Sequence, residues 1–236
     1  TYTDANSAHP FEQRWLTAQG TFDGNLADLV LYETLGGQFD DPTVPDTLPI
    51  GTISLEFGGC EDASMSYQID TEGLQGEFPL TRAIPESAEI CESKTETRLQ
   101  AVDINSGMDG AWFDPNTAGQ GLLIDARPDP VNGDFMFIAW FTYGDTNTSG
   151  QHWLTAQGPF ENSSADIPIY ETTGGSFDDP LLPSTNPVGQ MQIELNDCNS
   201  ATLVYSIPDR TLQGEIDLIR AVPGTDALCR EIIGAD

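Results

Sequence analysis

Apolar and polar residues alternate with a period of two along most of the chain. Met191, Ile193 and Leu195, for example, are separated by glutamine and glutamate. Such alternation places the apolar side chains on one face of a β-strand. Glycine and proline clusters, such as the one at Gly36-Gly37, interrupt the pattern where turns are expected. No segment combines helix caps with a period of 3.6 residues. The pattern therefore predicts an all-β protein made of antiparallel strands.

The chain contains an internal repeat. Residues 15–91 align without a gap with residues 153–229, at a constant offset of 138. Of the 77 aligned pairs, 36 are identical, which is far more than chance provides. The shared segments include a Trp-Leu-Thr-Ala-Gln-Gly motif and a Gly-Gly-x-Phe-Asp-Asp-Pro motif. The sequence therefore predicts two homologous units in tandem.

The second unit has room for about eight strands. They are predicted near residues 110–115, 119–126, 134–144, 151–158, 165–172, 188–196, 201–208 and 212–222. Eight short strands in one unit are typical of a closed barrel or a sandwich. The first unit retains counterparts of only the last five strands.

These patterns divide the chain into a first repeat at 1–92, a polar linker at 93–108 and a complete second repeat at 109–236. Nothing ahead of Thr1 corresponds to residues 109–141. We therefore expect either that the displayed sequence is a fragment, or that the mature protein uses an incomplete first domain.

One basic residue falls on an apolar face. Arg220 is in phase with Ile216 and Leu218, and Arg82 occupies the equivalent place in the first repeat. With Gly110-Ala111-Trp112, Arg220 resembles the arrangement in the calycin superfamily of lipocalins and avidins. That resemblance implies a barrel in which the tryptophan of the first strand packs against the basic residue of the last strand and closes one end. The alternative is an arginine that reaches solvent past its own apolar stem.

A second resemblance covers nearly the whole chain. It rests on Gly110-x-Trp-Phe-Asp-Pro115, Gly119-Gln-Gly121, Ala139-Trp-Phe-Thr-Tyr143 and Trp153-Leu-Thr-Ala-Gln-Gly158. These segments are similar to those of a family of uncharacterised secreted bacterial proteins built from such units. The resemblance implies an exported protein, extracellular or at the cell surface, and no specific activity.

The cysteines are placed equivalently in the two repeats. Cys60 and Cys91 are 31 residues apart, as are Cys198 and Cys229. This spacing predicts one disulfide within each repeat, with cross-repeat pairing or free thiols as alternatives. Disulfides indicate an oxidising compartment, so we expect a secreted protein.

The charge balance removes several functional classes. The chain has 38 acidic and 8 basic residues, and its formal net charge is −30. Nucleic-acid binding needs the opposite sign. The longest apolar run, near residues 135–141, is much shorter than the roughly 20 residues of a membrane-spanning helix, so no membrane insertion is expected. The acidity suits solubility in salty water, and we expect stability to rise with salt or Ca²⁺.

Two pairs of aspartates are candidate calcium ligands. Asp40 and Asp41 lie in the Gly-Gly-x-Phe-Asp-Asp-Pro loop of the first repeat, and Asp178 and Asp179 lie in that of the second. Carboxylate oxygens are hard ligands of the kind that Ca²⁺ prefers. The alternative is a turn in which aspartate accepts backbone N–H bonds. No other cofactor is indicated.

Aromatic residues of the second repeat are candidates for ligand binding. Trp112, Trp140, Tyr143 and Trp153, with Arg220, lie on strands that could line a barrel. They could form a stacking platform for a glycan or another flat ligand. The alternative is that they form the core, because buried aromatic residues dominate small β cores.

No catalytic motif is present in the sequence. His152 has arginine as its counterpart in the first repeat, and packing is the simpler role for it. We therefore predict a non-catalytic structural protein that self-associates, its incomplete first repeat being completed by strands from a neighbour. One alternative is a β-barrel module that binds a glycan or small ligand. The other is a hydrolase that uses paired carboxylates.

Overall fold

The computed structural model describes residues 1–3, 12–83, 88, 103–128, 133–144, 150–176 and 182–234. It confirms the all-β prediction, with 61% of residues in strands and 7% in helices. The first repeat contributes strands β1–β5: Thr17–Asp23, Leu26–Leu35, Asp46–Phe57, Asp62–Ile69 and Leu74–Thr81. The second contributes strands β6–β13: Gly110–Phe113, Gly121–Arg127, Phe135–Tyr143, Gln151–Pro159, Ser164–Thr173, Ser184–Asp197, Ser200–Ile207 and Leu212–Arg220.

The chain divides into two compact units. One contains residues 16–35 and 45–96, and the other contains residues 1–15, 36–44 and 97–236. The loop between β2 and β3 thus belongs to the same unit as the second repeat, although its flanking strands belong to the first.

Strands β1–β5 form an open antiparallel sheet in which each strand pairs with the next along the chain. Among the strands that the structure describes, β1 and β5 are therefore the edges of this sheet. The β1–β2 hairpin turns at Gly24, whose φ of 61° is readily adopted only by a residue without a Cβ atom. The alternation of Ile53, Leu55 and Phe57 places these side chains on one face of β3.

Strands β6–β13 form the predicted closed eight-stranded barrel. All neighbours are antiparallel, and the barrel closes where β13 pairs with β6, with Arg220 opposite Trp112. The β9–β10 ladder is interrupted near Pro159 and Pro168, since proline has no N–H to donate. Inward-facing apolar side chains from every strand fill the interior.

Short helical segments flank the strands of the barrel. A 3₁₀ turn, Ser106–Met108, precedes β6, and another, Pro208–Arg210, joins β12 to β13. An α-helix, α1, follows at Ala227–Ile233 and ends at Gly234, whose φ is 72°. The sequence pattern did not predict α1, because seven residues are too few to establish a helical period. Among the described residues, no helix is long and apolar enough to cross a membrane.

Candidate functional site

Arg220 and Trp112 close one end of the barrel. The guanidinium carbon of Arg220 lies 4.6 Å from the centre of the Trp112 ring. Its Nε donates to the Cys198 carbonyl at 2.6 Å and one Nη donates to the Gly107 carbonyl at 2.5 Å. Arg220 is buried, and burial lowers the pKa of its guanidinium. The contact implied by the calycin resemblance is therefore present, and the alternative of a solvent-directed arginine is wrong.

A disulfide strengthens the same end. Cys198 and Cys229 are bonded, with their Cα atoms 5.7 Å apart, which confirms the predicted pair in the second repeat. The bond fastens α1 next to the 3₁₀ turn, where a Cβ atom at Gly107 would lie 2.3 Å from the Cys229 nitrogen. Cys60 is also disulfide-bonded. Its predicted partner, Cys91, lies outside the described residues.

The loop at residues 36–44, which we call the plug loop, fills the other end of the barrel. Phe39 is buried in the barrel core, its ring centre 5.2 Å from that of Trp140 and 5.6 Å from that of Tyr205. The Tyr205 hydroxyl donates to the Asp40 carboxylate at 2.7 Å. The loop comes from the first repeat, so one repeat seals the barrel of the other.

The side chain of Gln120 holds the backbone of the plug loop from both directions. Its amide nitrogen donates to the Gln38 carbonyl at 3.0 Å, and its oxygen accepts from the Asp40 N–H at 3.0 Å. Thr142 donates its hydroxyl to the same oxygen at 2.6 Å. Gln120, from the Gly-Gln-Gly motif, therefore positions the backbone of the plug loop.

The cavity beneath the plug loop is small. A cavity of about 10 Å³ lies beneath the plug loop, lined by residues that include Asp40, Gln120 and Trp140. A single water molecule needs at least this volume. This cavity, formed by residues that the structure describes, is therefore too small for a sugar or a small apolar ligand.

The predicted aromatic platform is divided between core and surface. Trp112, Trp140 and Tyr143 are buried, and burial raises the pKa of Tyr143 to about 12. Trp153 is half-buried, and its Nε1 donates to the Thr1 carbonyl at 3.2 Å. The structure thus gives these four residues packing roles. Any ligand-binding role for them stays a prediction.

Near Thr1, equivalent residues of the two repeats form the same hydrogen bonds in both directions between the repeats. Trp15 donates its Nε1 to the Thr142 carbonyl at 2.9 Å, as Trp153 does to Thr1, which is the counterpart of Thr142. Gln151 accepts from the Trp15 N–H at 3.3 Å, and Gln13 accepts from the Trp153 N–H at 3.2 Å. The tryptophan of the repeated Trp-Leu-Thr-Ala-Gln-Gly motif therefore takes part in a local pseudo-twofold contact.

The open sheet of the first repeat leaves apolar side chains uncovered that the barrel buries. Phe22 is 80% exposed, whereas its counterpart Phe160 is 5% exposed. Phe57 is 48% exposed, whereas its counterpart Leu195 is 4% exposed. Because the sequence positions are equivalent, the difference comes from what covers each face. In the second repeat the cover includes β6–β8 and the segment before them, in which the Ile104 N–H donates to the Asn162 carbonyl at 2.8 Å.

The two candidate calcium ligands of the plug loop have different environments. Asp40 accepts from Tyr205, while Asp41 accepts bonds from both the hydroxyl and the N–H of Thr43. Asp41 thus forms the predicted alternative, a local turn. Among the described residues no three acidic, histidine or cysteine side chains cluster as a metal site would require. Asp178 and Asp179 lie outside the described residues, so calcium binding stays a prediction.

Asp40 and Asp41 are expected to change stability with pH in opposite directions. Burial raises the pKa of Asp40 above 3.8, so its contribution to stability is largest in acid and is lost as the pH rises through its folded pKa. Hydrogen bonds from Thr43 lower the pKa of Asp41, so its contribution is present at neutral pH and is lost as the pH falls below 3.8. Over the range from about pH 2 to pH 7, Asp40→Asn should gain stability relative to the parent chain as the pH rises above 3.8, and Asp41→Asn should lose stability relative to it as the pH rises towards 3.8. Urea unfolding across this range tests the pair, and parallel pH profiles would refute the assignment.

A polar cluster at the rim of the barrel was not predicted from the sequence. His152 Nε2 lies 3.0 Å from the Glu171 carboxylate and 3.0 Å from the Arg210 guanidinium, which itself bonds Glu171 at 2.5 Å. In the first repeat the counterparts of His152 and Arg210 are Arg14 and Glu72. The histidine and the arginine of this cluster are therefore replaced by other charged residues in the first repeat. The only feature of the sequence that could have pointed to this cluster is the difference between His152 and its counterpart in the first repeat.

Comparisons with known proteins do not identify the chain. No protein-family model, no curated protein and no solved structure shows a significant match to it. The two family resemblances given above therefore remain expectations, and function has to be argued from the geometry of the barrel, the plug loop and the open sheet.

Proposed function

We propose that the protein is a non-catalytic structural subunit of an extracellular assembly, in which the open sheet of the first repeat accepts strands from a neighbouring subunit. The observation that carries this proposal is the exposure of Phe22, where the equivalent Phe160 is buried. A large aromatic side chain at an inward-facing position is costly to leave in water, because burying one is worth about 2–3 kcal/mol. We therefore expect the apolar face of this sheet to be covered by strands of a neighbouring subunit.

The second repeat indicates what the cover should be. There, β13 pairs with β6 and β9 pairs with β8, so both ends of the homologous five-stranded segment have partners. In the described part of the first repeat, the corresponding strands β5 and β1 are the edges of the sheet. Unpaired edges are ready-made sites for strand addition. The donor is thus a three-stranded segment of the β6–β8 type, with large apolar residues on alternate positions.

Other properties fit an assembly outside the cell. The chain contains disulfides, which persist in oxidising compartments. Its net charge of −30 keeps free subunits soluble and apart at low salt. At salt concentrations of about 0.1–1 M, the Debye length falls to roughly 10–3 Å, which weakens this repulsion between subunits and permits association. The cavity beneath the plug loop, which has room for about one water, gives no support to the binding-module alternative.

The proposal is tested by supplying the donor segment in trans. A soluble carrier protein is fused to residues 103–143 of this chain, and the parent chain is titrated with it in salty buffer. We expect a one-to-one complex in which the backbone amides of β1 and β5 become protected from hydrogen exchange, because both edges then have partners.

A matched control uses the same segment in cis. Placing a copy of residues 103–141 directly ahead of Thr1 should close the first repeat, so this variant should not capture the carrier fusion. Failure of the parent chain to bind, or equal binding by the parent and the cis variant, would show that the open sheet does not receive strands.

A further inference from the structure

The end of the barrel that holds the plug loop has the features of a peptide-binding site. Its socket consists of Trp140 and Tyr205, whose ring centres are 5.1 Å apart, and the ring of Phe39 packs against both. Edge-to-face packing of this kind adds to the energy of burial and orients the inserted ring. The socket therefore selects an aromatic side chain.

Polar groups around the socket recognise the residues that flank the aromatic ring. The Tyr205 hydroxyl donates to the carboxylate that follows Phe39, and Gln120 binds backbone groups on either side of it. The Phe39 N–H donates to the Gly144 carbonyl at 3.3 Å. Main-chain bonds that provide affinity, combined with a pocket that provides specificity, are typical of peptide recognition.

Glycine is required two residues before the phenylalanine. A Cβ atom at Gly37 would lie 2.0 Å from the Tyr143 ring, so a larger residue would push the loop away from the barrel. The site therefore selects a Gly-x-Phe-Asp segment, in which the glycine packs against Tyr143 and both the phenylalanine ring and the aspartate contact Tyr205. This segment belongs to the Gly-Gly-x-Phe-Asp-Asp-Pro motif that the sequence contains twice.

The plug loop is joined to the barrel only through strands of the other compact unit. It connects β2 and β3, which belong to residues 16–35 and 45–96. The same loop carried by another molecule would present identical groups to the barrel, and no strand of the barrel would have to change. Exchange of identical elements in this way is a low-cost route to association.

We infer that this end of the barrel is a binding site for Gly-x-Phe-Asp loops, and that it accepts the plug loop of a second copy of this chain. Its own loop competes at the effective concentration of a tethered ligand, which is in the millimolar range. Exchange in trans therefore requires crowding in an assembly or a vacant site. The inference does not depend on strand capture by the open sheet.

The test is complementation between two variants. The first carries Phe39→Gly and Asp40→Gly, which empties the socket but leaves the barrel unchanged. The second carries Trp140→Ala, which damages the socket but leaves the plug loop unchanged. Both variants also carry the copy of residues 103–141 ahead of Thr1, so that the open sheet does not contribute to association. We expect a complex with the mass of two chains when the variants are mixed, and none from either alone. Absence of this complex from two folded variants would overturn the inference.

A peptide titration keeps the inference testable if the Trp140→Ala variant does not fold. A synthetic peptide of residues 34–44 is added to the Phe39→Gly, Asp40→Gly variant, and tryptophan fluorescence reports on the socket. We expect saturable binding that weakens at least tenfold when the phenylalanine of the peptide is replaced by alanine. Equal binding of both peptides, or no binding, would overturn the inference. If the double variant does not fold either, Phe39→Ala alone, which also removes the ring from the socket, is titrated by the same criteria.

Discussion

Replacing Arg220 with methionine is expected to destabilise the barrel by about 3–5 kcal/mol. The substitution leaves the carbonyl groups of Cys198 and Gly107 without their guanidinium donors in a buried place and removes the cation from the Trp112 ring. Each unsatisfied buried acceptor costs about 1–3 kcal/mol, and a desolvated cation–π contact is worth about 2 kcal/mol. Urea unfolding followed by tryptophan fluorescence measures the loss.

The first repeat offers a matched control for this prediction. Arg82 is the counterpart of Arg220 and donates its Nε to the Cys60 carbonyl at 2.5 Å, but it is exposed. Water can replace its bond, so Arg82→Met should cost less than about 1 kcal/mol. Equal losses for the two variants would mean that Arg220 is not the residue that closes the barrel.

Alanine substitutions at the equivalent positions Phe160 and Phe22 should affect different properties, the stability of the barrel and the association with a neighbour respectively. Phe160→Ala removes a large side chain from the barrel core and is expected to cost about 3–5 kcal/mol. Phe22→Ala acts at an exposed position and should change stability by less than about 0.5 kcal/mol. If strands from a neighbour cover Phe22, the same substitution should weaken capture of the 103–143 segment at least tenfold, as loss of a central aromatic residue does at interfaces.

Two measurements on each variant are needed for this comparison. Urea unfolding gives the change in stability, and titration with the carrier fusion gives the change in affinity. A Phe22→Ala variant that binds the segment as tightly as the parent chain would show that the inward face of the open sheet takes no part in capture.

The strands were largely predictable because the alternation of apolar and polar residues within each strand shows which of its faces is buried. The alternation of Met191, Ile193 and Leu195 reports directly which side of β11 is buried, and the repeat transfers that information to the equivalent strand β3. The same pattern predicted five strands in the first repeat and eight in the second, and the described structure confirms both counts. The closure by Trp112 and Arg220 was reached through a resemblance, since pairing between the first and last strands is not recorded locally.

The plug loop could not be predicted from the pattern of the chain. Its repetition indicated a shared task, but no local feature shows that Phe39 enters the barrel of the other repeat. That placement depends on Trp140, Tyr205 and Gln120, which lie 80 to 165 residues beyond the neighbouring Asp40 along the chain. A role of Asp40 as a calcium ligand stays a prediction.

The most direct test of the open-sheet proposal is the light-scattering mass of the unmodified chain in salty buffer. It is measured over a range of concentrations beside the variant that carries residues 103–141 ahead of Thr1. We expect the unmodified chain to form multimers through its open sheet, and the variant, with its first repeat closed, to have the mass of a single chain. An unmodified chain that stays a single subunit at every concentration would contradict the proposed assembly.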